Sequence, residues 1–189
     1  MQIVNESRQD GLLTPESKMN KQTKRLLKDR HSYSISKLKP EEDVKFEDLL
    51  YETFYVPDNM EPLPKEIVSL PYYRQYISDL GSRKGDCCFV AKDSFGGEIV
   101  GAVWTRIMND TMAVENSTPF LLIAVSPEHR RKGIGSALLL CILSELRNDG
   151  YTKVLLTVNR QNQAIALYRR NGFMVYCSDD ENYLMVNYL

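Results

Sequence analysis

An α/β fold is predicted for this chain, from three observations. An apolar run, Phe120-Leu121-Leu122-Ile123-Ala124-Val125, leads into the basic, glycine-bearing stretch Arg130-Arg131-Lys132-Gly133-Ile134-Gly135, and a helical pattern follows from Ser136. A second apolar strand, Lys153 to Val158, is followed by a short helix closed by Gly172. Hairpin patterns, with apolar stretches on both sides of a turn, precede and follow these units.

The elements can be justified in order. Residues 1–31 are polar, with seven Lys or Arg against four acids, and read as an N-terminal extension, either a flexible or weakly helical tail or an arm that docks a partner subunit. Residues 32–189 form the domain. Tyr33-Ser34-Ile35-Ser36-Lys37-Leu38 alternates as a strand does. Pro40-Glu41-Glu42-Asp43 is the start signal of a helix whose apolar side is Val44, Phe46, Leu49, Leu50 and Phe54. A second helix is expected around Tyr72 to Leu80, in a stretch rich in Pro and Tyr. Cys87 to Ala91 and Ile99 to Ile107 are the arms of a hairpin turning at Asp93-Ser94-Phe95-Gly96-Gly97, and Asn109 to Thr118 is a polar loop. In the next helix Ile134, Ala137, Leu138, Cys141, Ile142 and Leu146 make one stripe at i, i+3, i+4, i+7 spacing, which ends at Asn148-Asp149-Gly150. Phe173 to Cys177 and Tyr183 to Tyr188 pair as a final hairpin.

Composition narrows the function. The 189 residues are 43% hydrophobic and 26% charged with a net charge of -1, a balance that points to neither nucleic acid nor a membrane surface. No apolar run reaches the roughly 18 residues of a membrane span, and Met1 to Glu6 lacks the start of a secretory signal. Cys87, Cys88, Cys141 and Cys177 show no CxxC spacing, and His31 and His129 are far apart, so no metal is expected and the thiols read as reduced residues of a cytoplasmic protein.

The chemistry concentrates after the first apolar strand. A loop that enters a helix through glycines turns backbone N–H groups toward one point, the helix N-terminus adds partial positive charge, and Arg130, Arg131 and Lys132 raise the local anion concentration. The physical reading is a pyrophosphate cradle; a solvated basic turn is the plainer alternative. A dinucleotide-binding oxidoreductase fits poorly, because Leu138 occupies the third glycine position and the next strand ends at Asn159 without a ribose-binding acid.

Arg130-x-x-Gly133-x-Gly135 with its strand and helix resembles the acetyl-CoA motif of the GNAT acyltransferase superfamily. Asn162-Gln163-Ala164-Ile165-Ala166-Leu167-Tyr168-Arg169-Arg170-Asn171-Gly172-Phe173 is similar to the family's N-x-x-A-x-x-x-Y-x-x-x-G-F segment at every fixed position. The resemblance implies a central mixed, mostly antiparallel sheet of six or seven strands, splayed beside the motif strand to receive acetyl-CoA. It implies that main chain of Ile123, Ala124 and Val125 pairs with the pantetheine arm, and that amides of Arg130, Arg131, Lys132, Gly133, Ile134, Gly135 and Ser136 hold the pyrophosphate. It further implies that Asn162 touches the pantetheine region and that Tyr168 lies near the sulfur as a general acid. The activity implied is direct N-acetyl transfer to a primary amine, either a small molecule or a peptide N-terminus or lysine; relatives are often homodimers. The sequence departs from the family where many members carry a glutamate, since Pro119 stands there; Glu115 is the nearest candidate base, with an exposed loop acid as its alternative. That departure keeps open a CoA-binding module without transfer activity. The tyrosines between Phe54 and Tyr76 either line an acceptor pocket or pack helices onto the sheet.

Overall fold

Two helices near the start of the chain are shorter than their sequence patterns predict. The computed structural model describes residues 33–40, 42, 44–57, 59–94, 97–108 and 117–189; the extension read at residues 1–31 and the candidate base Glu115 lie outside these. The elements are β1 (Tyr33–Lys37), α1 (Phe46–Tyr51), a 3-10 turn (Lys65–Ser69), α2 (Pro71–Arg74), β2 (Cys87–Asp93), β3 (Ile99–Ile107), β4 (Pro119–Val125), a second 3-10 turn (Pro127–His129), α3 (Ile134–Asn148), β5 (Lys153–Asn159), α4 (Ala164–Arg170), β6 (Met174–Ser178) and β7 (Asn182–Tyr188).

The first helix starts at Phe46 and not at Pro40. Glu42, read as a first-turn acid, accepts the Lys39 N–H and pairs with Lys92 of β2 outside the helix. The second helix ends at Arg74, short of Leu80. Arg106, buried in β3, donates Nη1 to the carbonyls of Gln75 (2.7 Å) and Ser78 (2.5 Å), two acceptors that a continuing helix would need. Asp79 then takes φ 50, which breaks the run.

Seven strands form one sheet in the order β1-β2-β3-β4-β5-β7-β6. All neighbours are antiparallel except β4 and β5, as a mixed α/β sheet of this kind requires. This is not the parallel, doubly wound sheet of a dinucleotide-binding oxidoreductase. Period-two alternation sends successive residues to opposite faces. Val103 and Leu121 meet the stripe of α3, with Val154 and Leu156 of β5. Ala102, Trp104 and Ala124 meet Leu49 and Leu50 of α1 on the other face. All six residues of the expected α3 stripe are buried, joined by Leu139 and Leu143. Burying a leucine of this kind contributes about 1.5–3 kcal/mol.

β3 stays in register with β4 over the whole length of β4, from Gly101↔Val125 to Ile107↔Pro119. Between β4 and β5 the one registered pair is Phe120↔Leu155. No further pair is registered between them, so the edge of β4 from Leu121 to Val125 carries no ladder on the β5 side.

Candidate active site

At the end of β4 the chain makes a 3-10 turn and then a loop held in unusual backbone conformations. Arg130 is extended (φ -67, ψ 159), Arg131 is left-handed at φ 60, and Gly133 is left-handed at φ 83. Glycine takes that region freely, whereas an L-residue such as Arg131 is strained there by about 1–2 kcal/mol. Gly133 is the N-cap of the 15-residue α3, and no side chain caps it. The first bond of the helix runs from the Ala137 N–H to the Gly133 carbonyl at 3.1 Å. The amides of Ile134, Gly135 and Ser136 precede that bond, so they are available to an anion at the positive end of the helix. Arg131 and Lys132 are exposed beside them.

Gly135 is explained by packing as well as by ligand approach. A Cβ there would stand 3.2 Å from Leu167 Cδ2 of α4 and 4.0 Å from Ile123 Cδ1 of β4. Three elements of the expected site therefore converge on this residue. Arg130 is already engaged: its Nε donates to the Val125 carbonyl at 2.9 Å and its Nη2 to Glu52 Oε2 at 2.5 Å. Its guanidinium is thus a bracket as well as a cation.

On α4, the Asn162 side-chain oxygen accepts the Ala164 N–H at 2.8 Å and starts the helix. Its Nδ2 has no partner among the described residues. The helix ends at Gly172, left-handed at φ 90, where Asn187 Nδ2 closes the turn on the Asn171 carbonyl at 2.6 Å. Tyr168 is 8% exposed and lies 5.9 Å, centroid to centroid, from Phe173. Burial pushes its phenol up to about 12, which keeps the hydroxyl protonated at neutral pH.

The tyrosine-rich segment packs against the sheet. Tyr73 meets Phe54 edge-on at 4.9 Å, and Tyr76 meets Phe120 at 6.0 Å. The Tyr76 carbonyl accepts Trp104 Nε1 at 3.0 Å. Tyr72 is exposed. Beneath this wall lies a fully buried ion pair. Arg106 Nε and Nη2 meet the two Asp86 carboxylate oxygens at 2.9 and 2.7 Å, and both side chains are 0% exposed. Burial pushes the Asp86 carboxyl up, but the guanidinium and the amides of Gly81 and Arg83 outweigh it and hold the group below the usual carboxylate range. Arg106, Asp86 and Glu52 were not flagged by sequence patterning. A lone arginine within the apolar run of β3 was the available signal for the first.

Pro119 is buried at the start of β4, at the position where the resemblance leads one to expect an acid. Among the described residues no group of His, Cys, Asp and Glu side chains is arranged to hold a metal ion, and no helix is long and apolar enough to cross a membrane.

Residues 44–173 match the acetyltransferase (GNAT) family. Mycothiol acetyltransferase of Thermobifida fusca is 36% identical over 95 residues, which are 48% of this chain and 29% of that protein. N-acetyltransferase 8 of Homo sapiens is 36% identical over 93 residues, 49% of this chain and 40% of the relative. The chain thus spans less than half the length of these curated relatives. In three dimensions, the PaiA N-acetyltransferase from Thermoplasma acidophilum in complex with coenzyme A aligns with a TM-score of 0.62 at 21% identity, over 84% of this chain and 100% of that one. A GNAT acetyltransferase from Elizabethkingia anophelis with acetyl-CoA bound aligns at 0.56 and 18% identity, over 85% and 100%. The chain belongs to the GNAT family.

Proposed function

From that membership we propose that the chain transfers the acetyl group of acetyl-CoA directly to a primary amine within a ternary complex, through a catalytic domain spanning residues 32–189. The observation that carries the reading is the uncapped start of α3, set behind two left-handed residues at the open end of the splayed sheet. Such a site suits a diphosphate: Arg131 through Ser136 supply amides, the Arg130 N–H being bonded instead to the Pro127 carbonyl at 3.2 Å, and Arg131 and Lys132 supply charge. Ile123 and Val125 offer main-chain groups to a pantetheine arm along the unladdered edge of β4, whereas Ala124 between them turns its own toward Ala102 of β3, and Asn162 offers its free Nδ2.

The cosubstrate supplies a thioester, which a neutral amine attacks. The new C–N bond replaces the C–S bond. The Val125 N–H stabilises the oxygen on which charge develops. Tyr168 donates its proton to the leaving sulfur; burial keeps that hydroxyl protonated, while the raised pKa makes it a weaker acid that the site's geometry has to compensate. Glu115 is the proposed acceptor of the amine proton. The second reading, a module that holds coenzyme A without transfer, is favoured by one observation, the proline at 119.

Calorimetry with acetyl-CoA, coenzyme A and NAD tests the cofactor, and release of free thiol across an amine panel tests transfer. Binding of NAD alone would refute the whole reading. Tight acetyl-CoA binding with no thiol release from any amine would select the module.

A further inference from the structure

Glu52 belongs neither to the cofactor motif nor to the tyrosine-rich wall, yet its carboxylate holds the first residue of the phosphate loop. It is the C-cap residue of α1. One edge of the Arg130 guanidinium ties it to the carbonyl of Val125, the last residue of β4. Nη1, on the other edge, has no partner among the described residues and is free for an incoming oxygen. The pair is 50% and 28% exposed, and ion pairs so placed contribute little to stability. Its consequence is therefore orientation.

What is oriented is the next residue. Arg131 is one of two non-glycine residues with positive φ among those described, and the other, Asp79, lies far from this loop in sequence. A loop relaxing at Arg131 would redirect the amides that the proposed cradle uses. Arg130, pinned on the upstream side, and the left-handed Gly133 on the downstream side enclose the strained residue. We infer that Glu52 is a positioning residue for the cofactor cradle, acting through Arg130 to keep Arg131 in the left-handed conformation that aims the loop amides. The inference rests on the proposed function, because it takes the cradle to hold a diphosphate.

Electrostatics make the test decisive. Removing a carboxylate beside a diphosphate site strengthens anion binding by Coulomb attraction alone. Weaker binding after its removal must therefore come from lost orientation. Coenzyme A is titrated by calorimetry into the full chain, as wild type, Glu52→Ala, Arg131→Gly and the double variant. Glu52→Ala is expected to weaken binding about fivefold, the loss of a preorganised loop. In the Arg131→Gly background the same substitution changes affinity by less than about twofold, because glycine adopts that φ without strain. Unchanged or tighter binding by Glu52→Ala overturns the inference, as does an equal loss in both backgrounds, and either result leaves the proposed function standing. Failure of the wild type to bind coenzyme A overturns both.

Discussion

Truncating Asp86 to alanine removes one half of an ion pair that has no access to water. Its carboxylate accepts four bonds, from Arg106 Nε at 2.9 Å, Arg106 Nη2 at 2.7 Å, the Gly81 N–H at 2.9 Å and the Arg83 N–H at 3.1 Å. Alanine leaves the Arg106 charge buried with only the two carbonyls on Nη1. Breaking a buried pair from one side costs about 3–5 kcal/mol. A domain of this size shifts by roughly 2–4 °C per kcal/mol, so the thermal midpoint should fall by about 6–20 °C. The assay is calorimetric or circular-dichroism melting, with Lys37→Ala as the contrast. That substitution removes an exposed ion pair to Glu145 and should cost about 1 kcal/mol or less. The pH dependence has a definite sign. The Asp86 carboxyl titrates lower in the folded chain than in the unfolded one, so its contribution is complete above about pH 5 and is lost as pH falls through the folded-state value. The wild type and the variant should converge in acid. A midpoint within about 2 °C of wild type at pH 7 would refute the argument that this pair is dry and structural.

Other outcomes follow from the site. Gly135→Glu should abolish coenzyme A binding, since its Cβ already meets Leu167 at 3.2 Å and its carboxylate enters an anion site; calorimetric affinity equal to wild type would remove Gly135 from the cradle. Tyr168→Phe should lower turnover by about 10²–10⁴-fold while changing coenzyme A affinity little, and because the phenol is pushed up to about 12 the wild-type enzyme should lose no activity to its ionisation between pH 6 and pH 9, roughly the window of a routine assay. Unaltered turnover in that variant would end the general-acid assignment. One thiol per folded chain, Cys177, should react with a disulfide reagent, because burial pushes Cys87 up to about 12 and Cys141 to about 11 and raises Cys88 further. Two or more fast thiols would show that the core opens readily.

The parts legible in the sequence were those governed by local rules. The α3 stripe, the stop at Gly172 and the hairpins each follow from spacing or from one residue's backbone freedom, and all appear where spacing put them. The phosphate loop was legible because glycines, cations and a helix start are neighbours in the chain. The shortened second helix was not, because a distant residue bears on it: Arg106 takes the carbonyls of Gln75 and Ser78. Gly135 illustrates a mixed case. Its place in the motif suggested a ligand's approach, and the structure adds a packing reason in Leu167 that no local pattern contains. Glu52 was invisible for the same cause, since its partner is 78 residues away.

A single registered pair between β4 and β5 divides the main-chain hydrogen bonding into two rafts, β1 to β4 and β5-β7-β6. Backbone cooperativity therefore has to pass from one raft to the other through side chains. The route is the buried face of α3, where Leu138, Ile142 and Leu146 share one cluster with Val103 and Leu121 of the first raft and Val154, Leu156 and Met185 of the second. This helix thus acts as the mortar of the molecule, and the wedge it spans stays open without severing the fold. Erosion of its inner face would uncouple the rafts before either one frayed, and slow amide exchange would fail at their seam first.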